Sequence, residues 1–258
     1  MHALIAGLLL LAAPPPASPK PPPDHAALVK TLKDVDARQA SQGDWKSVVF
    51  IVQKESGKAD VAQQAVIYRR QEGQKLMILF QQPKEMQGQG YLRIEHNLWF
   101  YDPSVGKWER RTEREKIGGT NSRREDFDQS DLADEYEPTF AGYEKLGRYQ
   151  VAHLKLLAKP GQDVAFPKIE LWIDEDTGNV LKRNEYALSG RLMRRLLYPK
   201  WNKLYSESKK GDVWFPAKIF IFDEVEKANQ TQITIRDVDL HPLQANLFTK
   251  AYLESKSR

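Results

Sequence analysis

The chain of 258 residues has no cysteine, which removes disulfides, thiolate metal sites, a cysteine nucleophile and an acylated N-terminal cysteine from consideration. Its 39 cationic side chains stand against 35 anionic ones, a formal net charge of +4 that permits contact with anionic lipid or nucleic acid and specifies neither. With 41% hydrophobic and 29% charged residues the composition is that of a globular domain with an ordinary core.

The chain opens on an apolar run, residues 3–13, followed by a proline-rich tract over residues 14–23. The run has secretory character, and the tract would form an extended spacer once the run is removed. Residues 1–23 are therefore read as a signal segment with its spacer, and residues 24–258 as a single domain. Beyond the start, no stretch reaches the roughly 20 apolar residues that a membrane-crossing helix needs. Asp24 is placed as a helix N-cap, and Leu28, Val29, Leu32 and Val35 recur at three- and four-residue spacings. That pattern predicts an amphipathic helix covering one face of a sheet.

Strands are expected at 47–53 and 61–70, divided by a polar turn around residues 55–58. The most apolar stretch follows at residues 75–81, with Leu76, Ile78 and Phe80 on one face and Met77 and Leu79 on the other. Such a strand cannot face water on either side. Pro83, Gly88 and Gly90 mark a turn or bulge, and residues 91–94, 98–101 and 107–111 complete an aromatic meander.

Residues 112–136 are almost wholly charged and polar, include Gly118 and Gly119, and carry Ile117, Phe127 and Leu132 as isolated apolar side chains. A loop of this length inside a compact domain is either a functional lid or a solvated excursion, and the composition leaves both open. The strand pattern resumes at 149–158, 168–174, 179–188, 191–199, 214–223 and 230–240. Leu247, Phe248 and Leu253 then form a short closing helix or strand. About ten strands, without βαβ alternation or a fixed repeat, predict a mainly β protein: an antiparallel sheet curled into an open barrel.

The five histidines are scattered without ligand spacing, so no metal site is expected. No nucleophile elbow, P-loop or dinucleotide fingerprint is present, and no cofactor is expected. The run from Asp174 to Gly178 reads as a hairpin turn, not a calcium loop, because the distal glutamate is missing. The carboxylate pairs Glu125/Asp126 and Asp134/Glu135 would suit a glycosidase, yet they fall in the charged loop, where solvation explains them more simply. Trp99, Tyr101, Trp108, Arg110 and Arg111 match a single-strand nucleic-acid binder, but an aromatic barrel core is far commoner, so nucleic acid is not an expected partner.

Phe80, Pro83, Gly88, Leu92, the run from Leu98 to Pro103 and the pair Arg110-Arg111 resemble the pattern of outer-membrane lipoprotein-sorting proteins, the LolA-like family. More narrowly, they are similar to its branch associated with lipid exporters of the resistance-nodulation-division (RND/MMPL) type. Asp126-Phe127, Asp131-Leu132, Ile169 to Asp174, Glu185-Tyr186, Gly190 to Leu192, Phe248-Thr249 and Leu253 continue the likeness. The resemblance implies an open half-barrel whose apolar cavity is plugged or lidded by helices. It also implies a non-enzymatic periplasmic carrier that moves the acyl chains of a lipoprotein or lipid towards an outer-membrane acceptor. An inner-membrane transporter of RND/MMPL or ABC type would be the donor. The chain is longer than that pattern and its charged loop more extended, so a phospholipid fits as well as a lipoprotein. The alternatives are a transporter-docking adaptor that binds no lipid, and a hydrolase.

The candidate cavity residues are Leu76, Ile78, Phe80, Trp99, Tyr101, Leu171 and Ile173. Trp99 and Tyr101 are taken over Leu98 and Phe100, although alternation alone does not choose between the two faces. Phe127 and Leu132 are the expected lid, and Arg110 and Arg111 the expected rim, where a phosphate headgroup would be met.

Overall fold

The computed structural model describes residues 20–95, 97–112, 115–128, 130–207 and 209–257. The apolar run and the start of the proline-rich tract lie outside them. Among the described residues no helix is long and apolar enough to cross a membrane.

Asp24 caps helix α1 (His25–Ser41), its carboxylate accepting from the Ala27 amide at 2.8 Å. The strands are β1 (Trp45–Lys54), β2 (Val61–Arg70), β3 (Lys75–Gln82), β4 (Gly90–Ile94), β5 (Asn97–Asp102), β6 (Lys107–Arg111) and β7 (Tyr136–Leu146). The rest are β8 (Tyr149–Ala158), β9 (Lys168–Asp174), β10 (Val180–Tyr186), β11 (Leu192–Ser206), β12 (Gly211–Asp223) and β13 (Gln230–Asp239). All join one sheet in the order β6-β5-β4-β3-β2-β1-β13-β12-β11-β10-β9-β8-β7, an open antiparallel half-barrel.

This order has one topological consequence. Every neighbour is a hairpin partner except β1 and β13, which bring the two ends of the chain together in mid-sheet. The edges, β6 and β7, are therefore consecutive in sequence, and the segment between them has to cross the open side of the half-barrel.

The thirteen strands exceed the expectation of about ten; twelve correspond to ranges read from the sequence, and β7 was not expected at all. Pro138, Gly142 and several charges blur its alternation, and the register slips between Phe140 and Gly142. Proline and a bulge are tolerated there because β7 is an edge strand.

The inner face holds two apolar clusters. One gathers Val49, Ile51, Ile67, Leu76, Ile78, Phe80, Leu98, Ile219 and Ile233, together with Ile117 and Phe127 from the crossing segment. The other lies under α1, where Leu28, Leu32 and Val35 meet Leu154, Leu156, Ile169, Leu171 and Ile173. Each fully buried aliphatic chain contributes about 1.5–3 kcal/mol. On the outer face of β3 and β4, Met77 and Leu92 are covered by Phe248 and by Leu253 of the terminal helix α3 (Lys250–Lys256).

Register with β4 corrects the choice made for β5. Phe100 pairs with Tyr91 and Leu98 with Arg93, both inward residues, whereas Trp99 pairs with Leu92 and Tyr101 with Gly90 on the α3 side. The Lys250 ammonium lies 5.1 Å from the Trp99 ring, and Tyr101 packs on Trp108 at 5.0 Å. Trp99 and Tyr101 belong to the outer face because the covering helix contributes its own apolar stripe, which no alternation within β5 reveals.

Candidate functional site

The segment between β6 and β7 is built into the half-barrel, not solvated around it. Ile117 is fully buried and Phe127 is 5% exposed. Gly118 adopts a φ of +58°, and a Cβ there would sit 2.7 Å from the Phe80 ring, so only glycine fits. The sheet supplies polar groups that satisfy the segment's backbone. Gln63 Nε2 donates to the Gly118 carbonyl at 2.7 Å, and the Asn121 amide donates to Thr231 Oγ1 at 2.9 Å.

Charge is buried with it. Asp128 is approached by Arg69 at 3.3 Å, Arg93 at 2.8 Å and Arg124 at 2.7 Å. The side chains of Arg93 and Asp128 are 5% and 6% exposed. Nearby, Arg194 reaches Asp126 at 2.6 Å, Glu185 at 2.9 Å and Glu125 at 3.4 Å, while Arg183 lies 2.7 Å from Glu185. Burial raises the pKa of Asp126 even though Arg194 pulls it down. Burial also raises Glu125, with the charges of Glu185 and Asp126 adding to the effect. The Glu125/Asp126 pair, explained by solvation in the sequence, is thus an internal part of the protein.

The signal for this was present in strand parity. Arg69 alternates with Ala65 and Ile67, Arg93 with Tyr91, and Arg183 and Glu185 pair across strands with Leu196 and Ile169. A charge at an inward position of a strand requires a partner from another element.

Helix α1 holds the far end of the segment. Asp36 accepts from Ser130 Oγ at 2.6 Å and from the Leu132 and Ala133 amides at 3.0 and 2.8 Å. It thereby satisfies the start of the short helix α2 (Leu132–Glu135). Burial lifts the Asp36 carboxyl above its ordinary value, against the hydrogen bonds it accepts.

Between the segment, α2 and the connection from β8 to β9 lies a cavity of about 750 Å³. Its lining is mixed: Leu132, Tyr136, Val164, Ala165 and Phe166 are apolar or aromatic, and Arg124, Glu125, Asp131, Glu135 and Arg183 are charged. Burial raises the carboxyls of Asp131 and Glu135. Ligand sites typically occupy about 300–1,000 Å³, and a lining that mixes apolar and charged side chains suits an amphiphile.

The expected site residues are spread across three environments. Leu76, Ile78, Phe80 and Phe127 share the inner cluster, and Leu171 and Ile173 lie under α1; none of them borders the cavity. Leu132 does border it. Arg111 points inward, 5.2 Å from the Phe100 ring and 3.1 Å from Glu115, whereas Arg110 bonds Asn97 at 2.9 Å. Sequence reasoning missed the connection carrying Val164, Ala165 and Phe166, and it missed the inward arginines. Among the described residues no group of three or more histidines and carboxylates is placed to hold a metal ion.

Among solved structures, the chain is similar to an outer membrane lipoprotein-sorting protein domain from Vibrio parahaemolyticus. The TM-score is 0.77 at 18% identity, over 90% of this chain and all of that one. It is also similar to a LolA superfamily protein from Nitrosomonas europaea, with a TM-score of 0.72 at 20% identity over 87% of this chain and 98% of that one. A DUF1329 family protein from Desulfovibrio piger gives 0.78 at 18% identity over 89% and 98%. No curated protein matches the chain. A family model described as an uncharacterized protein matches residues 72–255, more than half of the chain, so the chain belongs to that family and is built on the LolA-like half-barrel.

Proposed function

We infer that the protein is a non-enzymatic carrier that binds the acyl part of a lipoprotein or lipid at the open side of its half-barrel. The observation that carries this reading is the cavity of about 750 Å³ between the crossing segment and α2, whose lining combines Leu132, Tyr136, Val164, Ala165 and Phe166 with charged side chains. Exposing an acyl chain to water costs about 0.8 kcal/mol per methylene, so a carrier has to cover it along its length. Release requires a cover that yields. The segment from β6 to β7 meets the wall through side-chain hydrogen bonds and ion pairs, so it can move without breaking the strand ladder.

On this reading the apolar run at the start directs export, the protein works in the periplasm, and cargo passes from an inner-membrane transporter to the outer membrane. The fold shared with lipoprotein-sorting domains supports this route. Neither a catalytic step nor a nucleic-acid partner is part of it. The test is native mass spectrometry of protein isolated from the periplasm, followed by solvent extraction and lipid identification. A co-purifying lipid or acylated peptide near one per chain supports the carrier. A clean apo mass with no uptake of added lipid overturns it in favour of a transporter-docking adaptor.

A further inference from the structure

Helix α3 covers the outer face of the sheet at β3 and β4, whereas across β11, β12, β13 and β1 that face remains half exposed. The strand register sets its side chains in three rows. Arg195, Phe222, Gln230 and Lys54 stand opposite one another in the first; Leu197, Phe220, Gln232 and Val52 form the second, and Lys200, Lys218, Thr234 and Phe50 the third. An antiparallel sheet face left to water is ordinarily polar, yet these rows carry Phe220, Phe222 and Phe50, the last 37% exposed. None of the side chains in the rows is a carboxylate. Cations lie over the rings instead. Lys218 is 4.9 Å from the Phe220 ring, Arg195 5.9 Å from Phe222, and Arg236 5.5 Å from Phe50. Glu224 pairs with Arg195, and Asp60 with Lys54 at 3.2 Å. Neither Lys218 nor Arg236 has an ion-pair partner among the described residues.

We propose that the outer face of β11, β12, β13 and β1 is a docking surface for an anionic phospholipid membrane, with Phe50, Phe220 and Phe222 at the acyl boundary and Lys218 and Arg236 on the headgroups. Aromatic rings and long cationic side chains both place an apolar body in the acyl boundary and a polar end in the headgroup layer, and unneutralised Lys and Arg side chains are drawn to anionic lipid. The rows offer a partner no pocket: Phe50, Phe220 and Phe222 border none of the cavities of about 370, 410, 520 and 750 Å³. A protein interface seats its anchors in desolvated pockets, whereas a bilayer receives rings from an open surface. Docked this way, the protein keeps the open side of the half-barrel turned away from the membrane. Membrane attachment is then separate from acyl uptake, and either can fail without the other.

The test is co-sedimentation of protein isolated from the periplasm with two kinds of vesicle, one of phosphatidylglycerol and phosphatidylcholine in equal parts and one of phosphatidylcholine alone. Wild type is expected to bind the anionic vesicles and not the neutral ones, and to be released as salt rises from about 0.05 M to about 0.5 M. Lys218→Gln/Arg236→Gln is expected to weaken binding about thirtyfold, roughly fivefold for each cation. Phe50→Ser is expected to weaken it about tenfold through the lost ring. Lys33→Gln/Lys107→Gln removes the same charge from exposed positions elsewhere and is expected to bind as wild type does. Unfolding temperatures check that each variant is folded, and uptake of a fluorescent fatty acid is expected to be the same in all of them. Absence of binding to the anionic vesicles at low salt overturns the docking surface. Equal losses from the two double substitutions overturn it as well, since net charge and not this face would then be responsible. If folded Lys218→Gln/Arg236→Gln and Phe50→Ser bind as wild type does, the rows do not meet lipid and the assignment falls, whatever the outcome for fatty-acid uptake.

Discussion

Arg93 and Asp128 meet at 2.8 Å inside the half-barrel, with side chains 5% and 6% exposed, one borne by a strand of the sheet and the other by the segment that crosses its open side. This pair joins residues 35 apart in sequence and ties the least regular part of the chain to the most regular.

Removing the arginine leaves a buried carboxylate with one cation fewer. Arg93→Ala is expected to lose about 3–5 kcal/mol of unfolding free energy in denaturant titrations. Arg110→Ala, on the opposite face of the neighbouring hairpin, is expected to stay within about 0.5 kcal/mol of wild type. Equal effects of the two substitutions would show that the inward pair carries no special weight.

Gly118 offers a steric route to the same segment. Alanine there would place its Cβ 2.7 Å from the Phe80 ring and 2.9 Å from Gln63, at a φ of +58°. Gly118→Ala is expected to cost about 1–3 kcal/mol. It should also speed limited proteolysis between β6 and β7 relative to the rest of the chain. An unchanged cleavage pattern would show that the segment tolerates displacement at this point.

The apolar lining residues of the cavity are open to a direct test of acyl binding. Val164→Glu puts a charge where a chain would lie, and uptake of a fluorescent fatty acid is expected to weaken about tenfold, the scale on which burying an unpaired polar group is penalised. Trp99→Ala, on the outer face under α3, is expected to leave uptake unaltered. A loss from Trp99→Ala with none from Val164→Glu would move the binding site to the outer face.

Asp36 gives the pH dependence a definite sign. Burial raises its folded-state pKa above the ordinary 3.8, so the folded protein holds this proton more tightly than the unfolded chain. The resulting stabilisation is full below the unfolded value and is lost as pH rises through the folded one. Wild type is therefore expected to gain stability relative to Asp36→Asn when denaturation is measured at about pH 4 instead of about pH 7. A constant difference, or one of opposite sign, would mean that the Ser130, Leu132 and Ala133 hydrogen bonds outweigh burial.

Leu253 reports on the outer face. Leu253→Ala, at a fully buried position, is expected to cost about 2–5 kcal/mol without changing fatty-acid uptake, because α3 covers the side of the sheet away from the cavity. A parallel loss of uptake in folded protein would show that the two faces are coupled.

Local rules carried the sequence a long way. The two-residue alternation of Leu76, Ile78 and Phe80 marked a strand buried on both sides, and the spacing of Leu28, Leu32 and Val35 behind Asp24 marked the covering helix. The residues from Asp174 to Gly178 make the expected turn, with the Gly178 amide donating to the Asp174 carbonyl at 2.8 Å. These features were legible because each depends on neighbours a few residues away.

What the sequence by itself determined is therefore the open antiparallel half-barrel and its covering helix, since period and turn chemistry act locally. Only the tertiary structure decided which of two equally apolar faces of β5 turns inward, because that depends on register with β4 and on α3, more than a hundred residues away. It also decided that the charged segment folds into the half-barrel. Solvation and burial are both open to a carboxylate, and the choice between them rests on guanidinium groups that the sheet alone brings within reach: Arg69 and Arg93 for Asp128, and Arg194 for Asp126.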